Sequence, residues 1–395
     1  MTRTYRAAML GVGPRGLQQA QAYRRHPRVR LVAICDIDDA RRTVAAQEFG
    51  LGAEHAYTDL RRMLDVEKPD IVNIPTRTDL HAPLTIAVLT HRPPKALVVE
   101  KPMATSLDDA DRMLALAKTA STVLAVSHQS RTTPPFIVAE RMIAQGQIGP
   151  LTGVAIRGNG YYGGYDMFNI GTHSLSAARR FVGTAHSVSA TLTTAGRRTG
   201  VDGIVTGPAG FGLLAGENIQ AQYEFDGGRF AAVEFHRRSE PSPYWVFDKI
   251  YGEDGALCVY HRDQLYVRRG RDWDMGAVKW EPVALEPPDR ILHGVDYAVD
   301  PDGDFWMAEE TVQALDGTRV HQCRGEEGLG VTEMMFGVYA SHFTGRRIDF
   351  PMSRGHHPLV QALEAGGLPL PDGAPGELRY REWLPRELAR IGVPH

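Results

Sequence analysis

The sequence predicts an α/β domain with a parallel sheet, followed by an α+β domain with an open, mainly antiparallel sheet. Up to about residue 130, short apolar runs alternate with helical segments, which is typical of parallel strands covered by helices on both faces. Beyond it, longer segments of alternating polarity follow one another with few helices between them. We therefore predict domains over residues 1–130 and 131–351, and a proline- and glycine-rich C-terminal extension over residues 352–395.

The first domain begins with a buried strand over residues 5–10, a glycine turn, and a helix over residues 17–26 that Pro27 ends. Gly50 is placed to end a later helix, and Ser106 with Asp109 resembles a capping box. Further strands are predicted over residues 29–34, 71–74, 96–99 and 123–126, and further helices over residues 39–49, 81–89 and 106–119.

The second domain is predicted to contain strands over residues 151–157, 187–194, 218–225, 230–235 and 256–260. Asp226, Gly227 and Gly228 lie between two of these strands and are typical of a hairpin turn. Residues 195–216 are rich in glycine and have no clear period, so we expect a long loop there.

Charge and composition exclude several classes of protein. A formal net charge of -3 gives no basic field for nucleic acid or anionic lipid. No apolar run approaches the ~18 residues of a membrane span, and we expect no signal peptide. Cys35, Cys258 and Cys323 lack CxxC spacing, and His356 and His357 have no further ligand at metal-binding spacing, so neither disulfides nor a metal are predicted. A cytoplasmic protein is expected.

Between the first strand and the first helix lies a glycine turn of the form GxGxxG. In this position glycines permit a tight turn and close approach of the backbone to a pyrophosphate, and the helix N-terminus favours the phosphate charge. We predict a dinucleotide-binding Rossmann domain in which the turn residues contact the ligand: Gly11, Gly13, Pro14, Arg15 and Gly16.

Asp36 ends the second strand, 20 residues after Gly16. A carboxylate at this place hydrogen-bonds the ribose 2′-hydroxyl of NAD, whereas a domain that binds NADP accommodates a 2′-phosphate there. Because Asp36 and Asp38 place two negative charges at this point, NAD is the predicted cofactor, although Arg41 and Arg42 follow one turn later.

Glu100, Lys101 and Pro102 directly follow the strand over residues 96–99. Ligands of doubly wound sheets bind beyond the carboxyl ends of the strands, so a lysine here is well placed to act on a substrate. A surface lysine at a strand end would give the same tripeptide.

Together these segments resemble the glucose–fructose oxidoreductase and inositol dehydrogenase family (Gfo/Idh/MocA). The resemblance rests on the glycine turn, Asp36, residues 75–81 and Glu100-Lys101-Pro102, and farther along on residues 250–255 and 326–348. It covers residues 5 to about 351. It implies an NAD-dependent oxidoreductase and adds Thr76, His81 and Glu100 to the residues expected to bind the cofactor.

The resemblance also implies the catalytic residues. In that family the lysine hydrogen-bonds the reacting sugar hydroxyl, so Lys101 is expected to orient this group and to assist proton transfer. A second family motif is a carboxylate four residues before a histidine on a helix; here His173 matches the histidine and Asn169 replaces the carboxylate. Residues four apart share a helix face, so both could reach one substrate. Histidine can accept a proton near neutral pH, whereas asparagine can only hydrogen-bond.

Further residues near these motifs are candidates for substrate binding. Tyrosines beside a sugar site can stack on a pyranose face, although core tyrosines would give the same pattern. Polar residues after the last strand of the first domain could contact substrate or bridge the domains. The candidates are Tyr161, Tyr162, Tyr165, His128 and Arg131.

The leading hypothesis is an NAD-dependent enzyme that oxidises or reduces a hydroxyl of a sugar, glycoside or cyclic polyol. A second hypothesis is an NAD-dependent glycoside hydrolase or lyase, because the family includes enzymes that oxidise a sugar hydroxyl transiently and regenerate NAD. Asn169 and the tyrosines keep this alternative open. A third is a non-catalytic NAD-binding protein. Family members usually associate through the outer face of the second-domain sheet, which implies a homodimer or homotetramer.

Overall fold

The computed structural model describes residues 3–237, 245–260, 263–271 and 279–371. The chain forms two compact units. The first contains Met1–Thr132 and Ile291–Leu329, and the second contains Thr133–Arg290 and the chain from Gly330 onward. The domain predicted over residues 131–351 therefore includes a segment, Ile291–Leu329, that belongs to the first unit. Residues 372–395 of the predicted extension lie outside the described residues.

The first unit opens with alternating strands and helices. Its strands are β1 (Tyr5–Leu10), β2 (Val29–Cys35), β3 (Ala56–Tyr57), β4 (Ile71–Ile74), β5 (Ala96–Val99) and β6 (Val123–Val126). The helices between and after them are α1 (Pro14–Arg25), α2 (Asp39–Phe49), α3 (Leu60–Glu67), α4 (Thr78–His91) and α5 (Leu107–Thr119). All strands pair in parallel in the order β3-β2-β1-β4-β5-β6. The predicted parallel sheet is confirmed.

Local sequence signals set several helix ends in this unit. Gly50 ends α2 in the left-handed conformation, with φ at 65°. The Ser106 hydroxyl caps α5 by accepting the Asp109 N–H at 3.1 Å. Helix α1 begins at Pro14, earlier than predicted, because proline is favoured in the first turn of a helix. The sequence analysis missed α3 and the short strand β3.

The second unit is built on a large sheet. Its helices up to Arg290 are α6 (Pro134–Ala144), α7 (Gly163–Asp166), α8 (Thr172–Val182) and α9 (Pro287–Arg290). Its strands are β7 (Leu151–Gly160), β8 (Ala185–Thr194), β9 (Arg197–Arg198), β10 (Ile204–Thr206), β11 (Leu213–Ala215), β12 (Asn218–Phe225), β13 (Phe230–Arg237), β14 (Trp245–Gly252), β15 (Gly255–Tyr260), β16 (Gln264–Arg269) and β17 (Glu281–Pro282). A π-helical turn, Met167–Gly171, joins α7 to α8.

The remaining elements complete both units. They are β18 (Ile291–Leu292), β19 (Val295–Asp296), α10 (Gly303–Leu315), α11 (Gly325–Thr344), β20 (Ile348–Asp349) and α12 (Pro358–Ala365). The large sheet has the order β17-β16-β15-β14-β7-β13-β12-β8-β20. Over the described strands of that order, β7 and β13 run parallel and the other neighbours are antiparallel. The predicted open, mainly antiparallel sheet is confirmed.

The prediction of a long loop over residues 195–216 is wrong. Strands β10 and β11 pair antiparallel within it, and β9 pairs with β8. The many glycines concealed these short strands, because glycine at turn positions lowers the strand signal of its neighbours.

Helix α10 explains why Ile291–Leu329 belongs to the first unit. A parallel sheet is apolar on both faces and needs helices on both. On one face, α10 contributes Met307, Ala308 and Val312 to an apolar cluster that includes Met9 and Ile34 of the sheet. Among the described residues, no helix combines the length and apolarity that a membrane crossing requires.

Candidate active site

The glycine turn between β1 and α1 has three glycines with different surroundings. A Cβ on Gly11, where φ is 107°, would lie 2.7 Å from Thr76 Cγ2, and one on Gly16 would lie 2.3 Å from the Gly11 carbonyl oxygen. These two glycines are needed for packing within the turn. A Cβ on Gly13 would meet only the Arg41 guanidinium, at 4.0 Å. The space beside Gly13 and the start of α1 can therefore accept a ligand.

Asp36 lies at the end of β2, beside the glycine turn. One carboxylate oxygen accepts the Val12 N–H at 2.8 Å and the other accepts the Asp38 N–H at 2.9 Å. A carboxylate has about four acceptor positions, so Asp36 can also accept a ribose hydroxyl. Arg42 donates to the Asp36 carbonyl oxygen at 2.8 Å and pairs with Asp39. The Arg42 guanidinium is thus already bound to residues at the start of α2.

Arg15 and Glu100 are brought together with Asp304, the first acidic residue of α10. Two guanidinium nitrogens of Arg15 donate to the Asp304 carboxylate at 2.6 and 2.7 Å, and Nε donates to Glu100 at 3.0 Å. Gln19 also donates to Glu100, at 2.6 Å. Burial disfavours the charged guanidinium, but Glu100 and Asp304 outweigh it and raise the pKa of Arg15. Arg15 therefore links the glycine turn to the turn that carries Lys101.

His81 contacts the same turn at Pro102. Its ring is fully buried, with Nδ1 at 2.8 Å from the Pro102 carbonyl oxygen and Nε2 at 3.1 Å from that of Thr76. Burial lowers its pKa, which favours a neutral ring that donates to one of the two carbonyls. The peptide bond between Lys101 and Pro102 is cis. His81 thus fixes the turns at Thr76 and Pro102, and a direct contact with the cofactor stays a prediction.

His128 and Arg131 follow β6, close to Lys101. His128 is buried, and burial together with the charges of Arg131 and Lys101 lowers its pKa to about 3. The imidazole is therefore neutral at physiological pH. Arg131 is also buried and forms an ion pair with Glu327 at 3.3 Å. The first unit thus places Lys101 beside a neutral histidine and a paired arginine.

In the second unit, Asn169 and His173 lie on consecutive helical segments of different type and not on one regular α-helix. Asn169 belongs to the π-helical turn Met167–Gly171, and His173 belongs to α8. The predicted α-helical spacing is thus corrected. A Cβ on Gly171 would lie 2.4 Å from Phe235 Cζ, so glycine permits this turn to pack on the sheet. Single π-helical turns are rare in proteins, and those that occur are often found at functional sites.

The tyrosines before this segment differ in position. Tyr162 is 1% exposed and belongs to the core, so a substrate contact is not supported for it. Tyr161 and Tyr165 are partly exposed. The Asn169 amide donates to the Tyr165 hydroxyl at 3.2 Å. Residue Asp166, which the sequence analysis did not single out, accepts the Tyr162 N–H at 3.0 Å, and burial raises its pKa to about 7.

Comparison with known proteins identifies the family. Residues 5–128 match the family described as oxidoreductases with an NAD-binding Rossmann fold (GFO_IDH_MocA). The first domain of the chain is therefore similar to the NAD-binding domain of the Gfo/Idh/MocA family. The matched residues contain the glycine turn, Asp36 and Lys101, so the resemblance drawn from these motifs is confirmed.

Two relatives of the chain are named as dehydrogenases. The chain is 31% identical over 147 residues to D-apiose dehydrogenase of Paraburkholderia graminis, a match that covers 37% of this chain and 38% of that protein. It is 25% identical over 261 residues to levoglucosan dehydrogenase of Pseudarthrobacter phenanthrenivorans, covering 58% and 65%. The chain thus matches less than two thirds of each relative's length.

A solved structure shows the same fold over most of the chain. Levoglucosan dehydrogenase in complex with NADH and levoglucosan superposes with a TM-score of 0.72 at 20% identity. The match covers 89% of this chain and 100% of that one. At this identity the likeness establishes the fold.

NAD is the cofactor of the matched domain, and the geometry of the turn fits it. Gly13 and the start of α1 would hold the pyrophosphate, since a Cβ at Gly13 would occupy open space rather than protein. Asp36 would hold the adenosine ribose. Sequence reasoning missed Asp304, which lies far along the chain and becomes a partner of the turn only through the fold.

A second cluster has the spacing of metal ligands. His26 Nε2 and His293 Nε2 each lie 2.9 Å from one carboxylate oxygen of Glu309. However, His26 Nδ1 accepts the Arg28 N–H at 3.2 Å, so its proton lies on Nε2 and is donated to Glu309. A protonated nitrogen does not bind a metal. We assign this cluster to hydrogen bonding.

Proposed function

We propose that the protein is an NAD-dependent oxidoreductase that oxidises or reduces a hydroxyl of a sugar, glycoside or cyclic polyol. The observation that supports this most is the place of Lys101, directly beyond the carboxyl end of β5 and inside the matched NAD-binding domain. Its two neighbours in the chain are held in place, because Glu100 pairs with Arg15 and the Pro102 carbonyl contacts His81. A lysine fixed in this way can present Nζ to a substrate hydroxyl.

Each proposed catalytic residue has its own task. Bound nicotinamide supplies the hydride chemistry. Lys101 Nζ, as the uncharged amine, hydrogen-bonds the reacting hydroxyl and accepts its proton as the carbonyl forms, and the resulting ammonium group releases this proton to water. His128 adds no positive charge beside Lys101 at physiological pH, because burial holds the pKa of the His128 ring at about 3. His173 and Asn169 orient the substrate, Asn169 through an amide that already donates to Tyr165.

The test compares two lysines at opposite ends of β5. Lys101→Ala is expected to lower kcat/KM by roughly 10²–10⁴-fold, the range of a lost general acid–base group, with little change in NADH affinity. Lys95→Ala is the matched control, because Lys95 precedes the strand and pairs with Asp70 at 2.6 Å. NADH formation is followed over a panel of sugars, glycosides and cyclic polyols. Equal activity of both variants would contradict the role of Lys101. If the unmodified protein forms no NADH with any compound of the panel, a non-catalytic NAD-binding protein is favoured.

The same panel separates net oxidation from glycoside cleavage. The alternative activity is an NAD-dependent hydrolase or lyase, which Asn169 in place of a carboxylate keeps open. Release of phenol from an aryl glycoside without net NADH would favour the alternative. Steady NADH formation from an unsubstituted sugar would favour the proposed dehydrogenase.

Location and assembly are separate proposals. All three cysteines are buried and form no disulfide, which supports a reducing cytoplasm.

We also propose that copies associate through the outer face of the large sheet, where β12 alternates buried residues with exposed Gln220, Gln222 and Glu224. Light scattering after size exclusion measures the mass, and a monomer at micromolar concentration would contradict this assembly.

A further inference from the structure

A hairpin within residues 195–216 is built with a tight, specific turn. Strands β10 and β11 pair antiparallel, and the Gly207 N–H donates to the Gly212 carbonyl across the turn at 2.6 Å. Ala209, Gly210 and Gly212 adopt φ values of 53°, 71° and 76°. The Phe211 N–H donates to the Pro208 carbonyl at 3.1 Å. This turn fixes the position of Phe211.

The base of the hairpin attaches directly to the segment that carries Asn169. The N–H groups of Gly163 and Gly164 donate to the carbonyls of Glu217 and Gly216 at 2.8 and 3.0 Å. A Cβ on Gly164 would lie 2.6 Å from the Ala215 carbonyl oxygen. The two glycines between Tyr162 and Tyr165 thus allow the two backbones to pair closely.

Phe211 brings an aromatic ring against Tyr165. Their ring centroids lie 5.7 Å apart, and the Phe211 ring is 6.5 Å from that of Phe168. Phe168 in turn stacks on Tyr339 at 5.8 Å. Phe211 is 7% exposed. A row of aromatic rings therefore runs from the core to Tyr165, whose hydroxyl accepts the Asn169 amide.

We infer that Phe211 is a positioning residue that sets the ring plane of Tyr165, and that Tyr165 serves as a stacking platform for a pyranose ring beside Asn169. This inference rests on the proposed function. The C–H face of a pyranose packs on an aromatic ring, whereas an acyclic polyol offers no such face. The hairpin thus selects cyclic pyranosides over acyclic polyols.

The test measures this selectivity with methyl β-D-glucopyranoside, methyl β-D-galactopyranoside and the acyclic polyol D-glucitol. Phe211→Ala is expected to lower the ratio of kcat/KM for pyranoside to that for polyol by at least about fivefold, mainly by raising the pyranoside KM. Phe211→Tyr keeps the ring and should restore the ratio. NADH affinity should match that of the unmodified protein.

Phe230→Ala is the matched control, since Phe230 is an exposed phenylalanine of the same unit, on β13. If Phe211→Ala does not fold, Phe211→Leu replaces it, because leucine fills the site without an aromatic ring. Turnover of pyranosides with an unchanged ratio in these variants would overturn the role of Phe211 and leave the proposed function intact. Turnover of cyclic polyols but of no pyranoside by the unmodified protein would overturn the pyranose platform alone. No NAD reduction with any sugar, glycoside or cyclic polyol would overturn both proposals.

Discussion

Arg15 lies within the glycine turn, yet its guanidinium serves the protein more than an incoming ligand. It holds Asp304 through two hydrogen bonds and Glu100 through a third. A two-point contact between guanidinium and carboxylate fixes the plane of both groups. The glycine turn and the lysine turn are therefore joined by one side chain.

Breaking this contact should be costly. Asp304→Asn is expected to lower the free energy of unfolding by about 2 kcal/mol, the scale of a lost hydrogen bond between charged groups, because Arg15 keeps its contact with Glu100. It should also weaken NADH binding, because Arg15 would keep only its contact with Glu100 and would hold the glycine turn less firmly. Urea unfolding and NADH titration measure the two effects. Asp79→Asn is the control; its exposed pair with Arg77 should contribute under about 1 kcal/mol, and an equal effect of both variants would contradict the expectation.

The positions of the candidate residues near the glycine turn could be predicted from sequence, while the side chains that contact them could not. Gly11, Asp36 and Lys101 follow strand ends, and strand ends show in the local sequence. Asp304 meets Arg15 across 289 positions of sequence, so no local pattern records the contact. Phe211 likewise becomes relevant only once its hairpin is folded.

At the scale of elements, predictions succeeded where one physical signal dominated. The buried strands β1, β4 and β5 are continuous apolar runs, and Gly50 and Ser106 mark helix ends. The π-helical turn was missed because it depends on how Gly171 packs against Phe235, which is a contact between elements. Periodicity in the sequence cannot distinguish a π-turn from an α-turn.

Ser106 provides a test of an element that was predicted correctly. Ser106→Ala removes the acceptor of the Asp109 N–H at the start of α5 and is expected to destabilise the protein by about 1 kcal/mol. Ser106→Asp keeps an acceptor there and should retain most of the stability. Urea unfolding measures both variants. A stability of Ser106→Ala equal to that of the unmodified protein would show that another group replaces the cap.

At the scale of the whole molecule, the first unit is assembled from two distant stretches of chain. Arg28 pairs with Asp316 at 2.5 Å, and His26 and His293 both contact Glu309. These contacts tie Ile291–Leu329 to α1 and to the start of β2. The unit is therefore held together by charge as well as by the apolar face of α10.

This charge contact predicts how stability depends on pH. The hydrogen bond from His26, with those from Gln313 and His293, lowers the pKa of Glu309 to about 2. A carboxyl whose pKa is lower in the folded state stabilises the fold above its ordinary pKa of about 4.5 and loses that contribution as the pH falls toward 2. As the pH is lowered from about 4.5 to about 2, the urea midpoint of the unmodified protein should therefore fall more steeply than that of Glu309→Gln. Parallel curves of urea midpoint against pH for the two proteins would contradict the prediction. Arg28 also lowers the pKa of Asp316, but Asp316 is present in both proteins and so does not affect the comparison.

The return of the chain through α10 also has a consequence during synthesis. When a ribosome has completed Thr132, one face of the parallel sheet still lacks Met307, Ala308 and Val312. At roughly 5–20 residues per second, α10 emerges on the order of ten seconds later. During that interval the nascent chain exposes an apolar sheet face, to which chaperones that recognise unfolded segments can bind. A protein fragment that ends at Thr132 would lack α10, so this apolar face of its sheet would stay exposed.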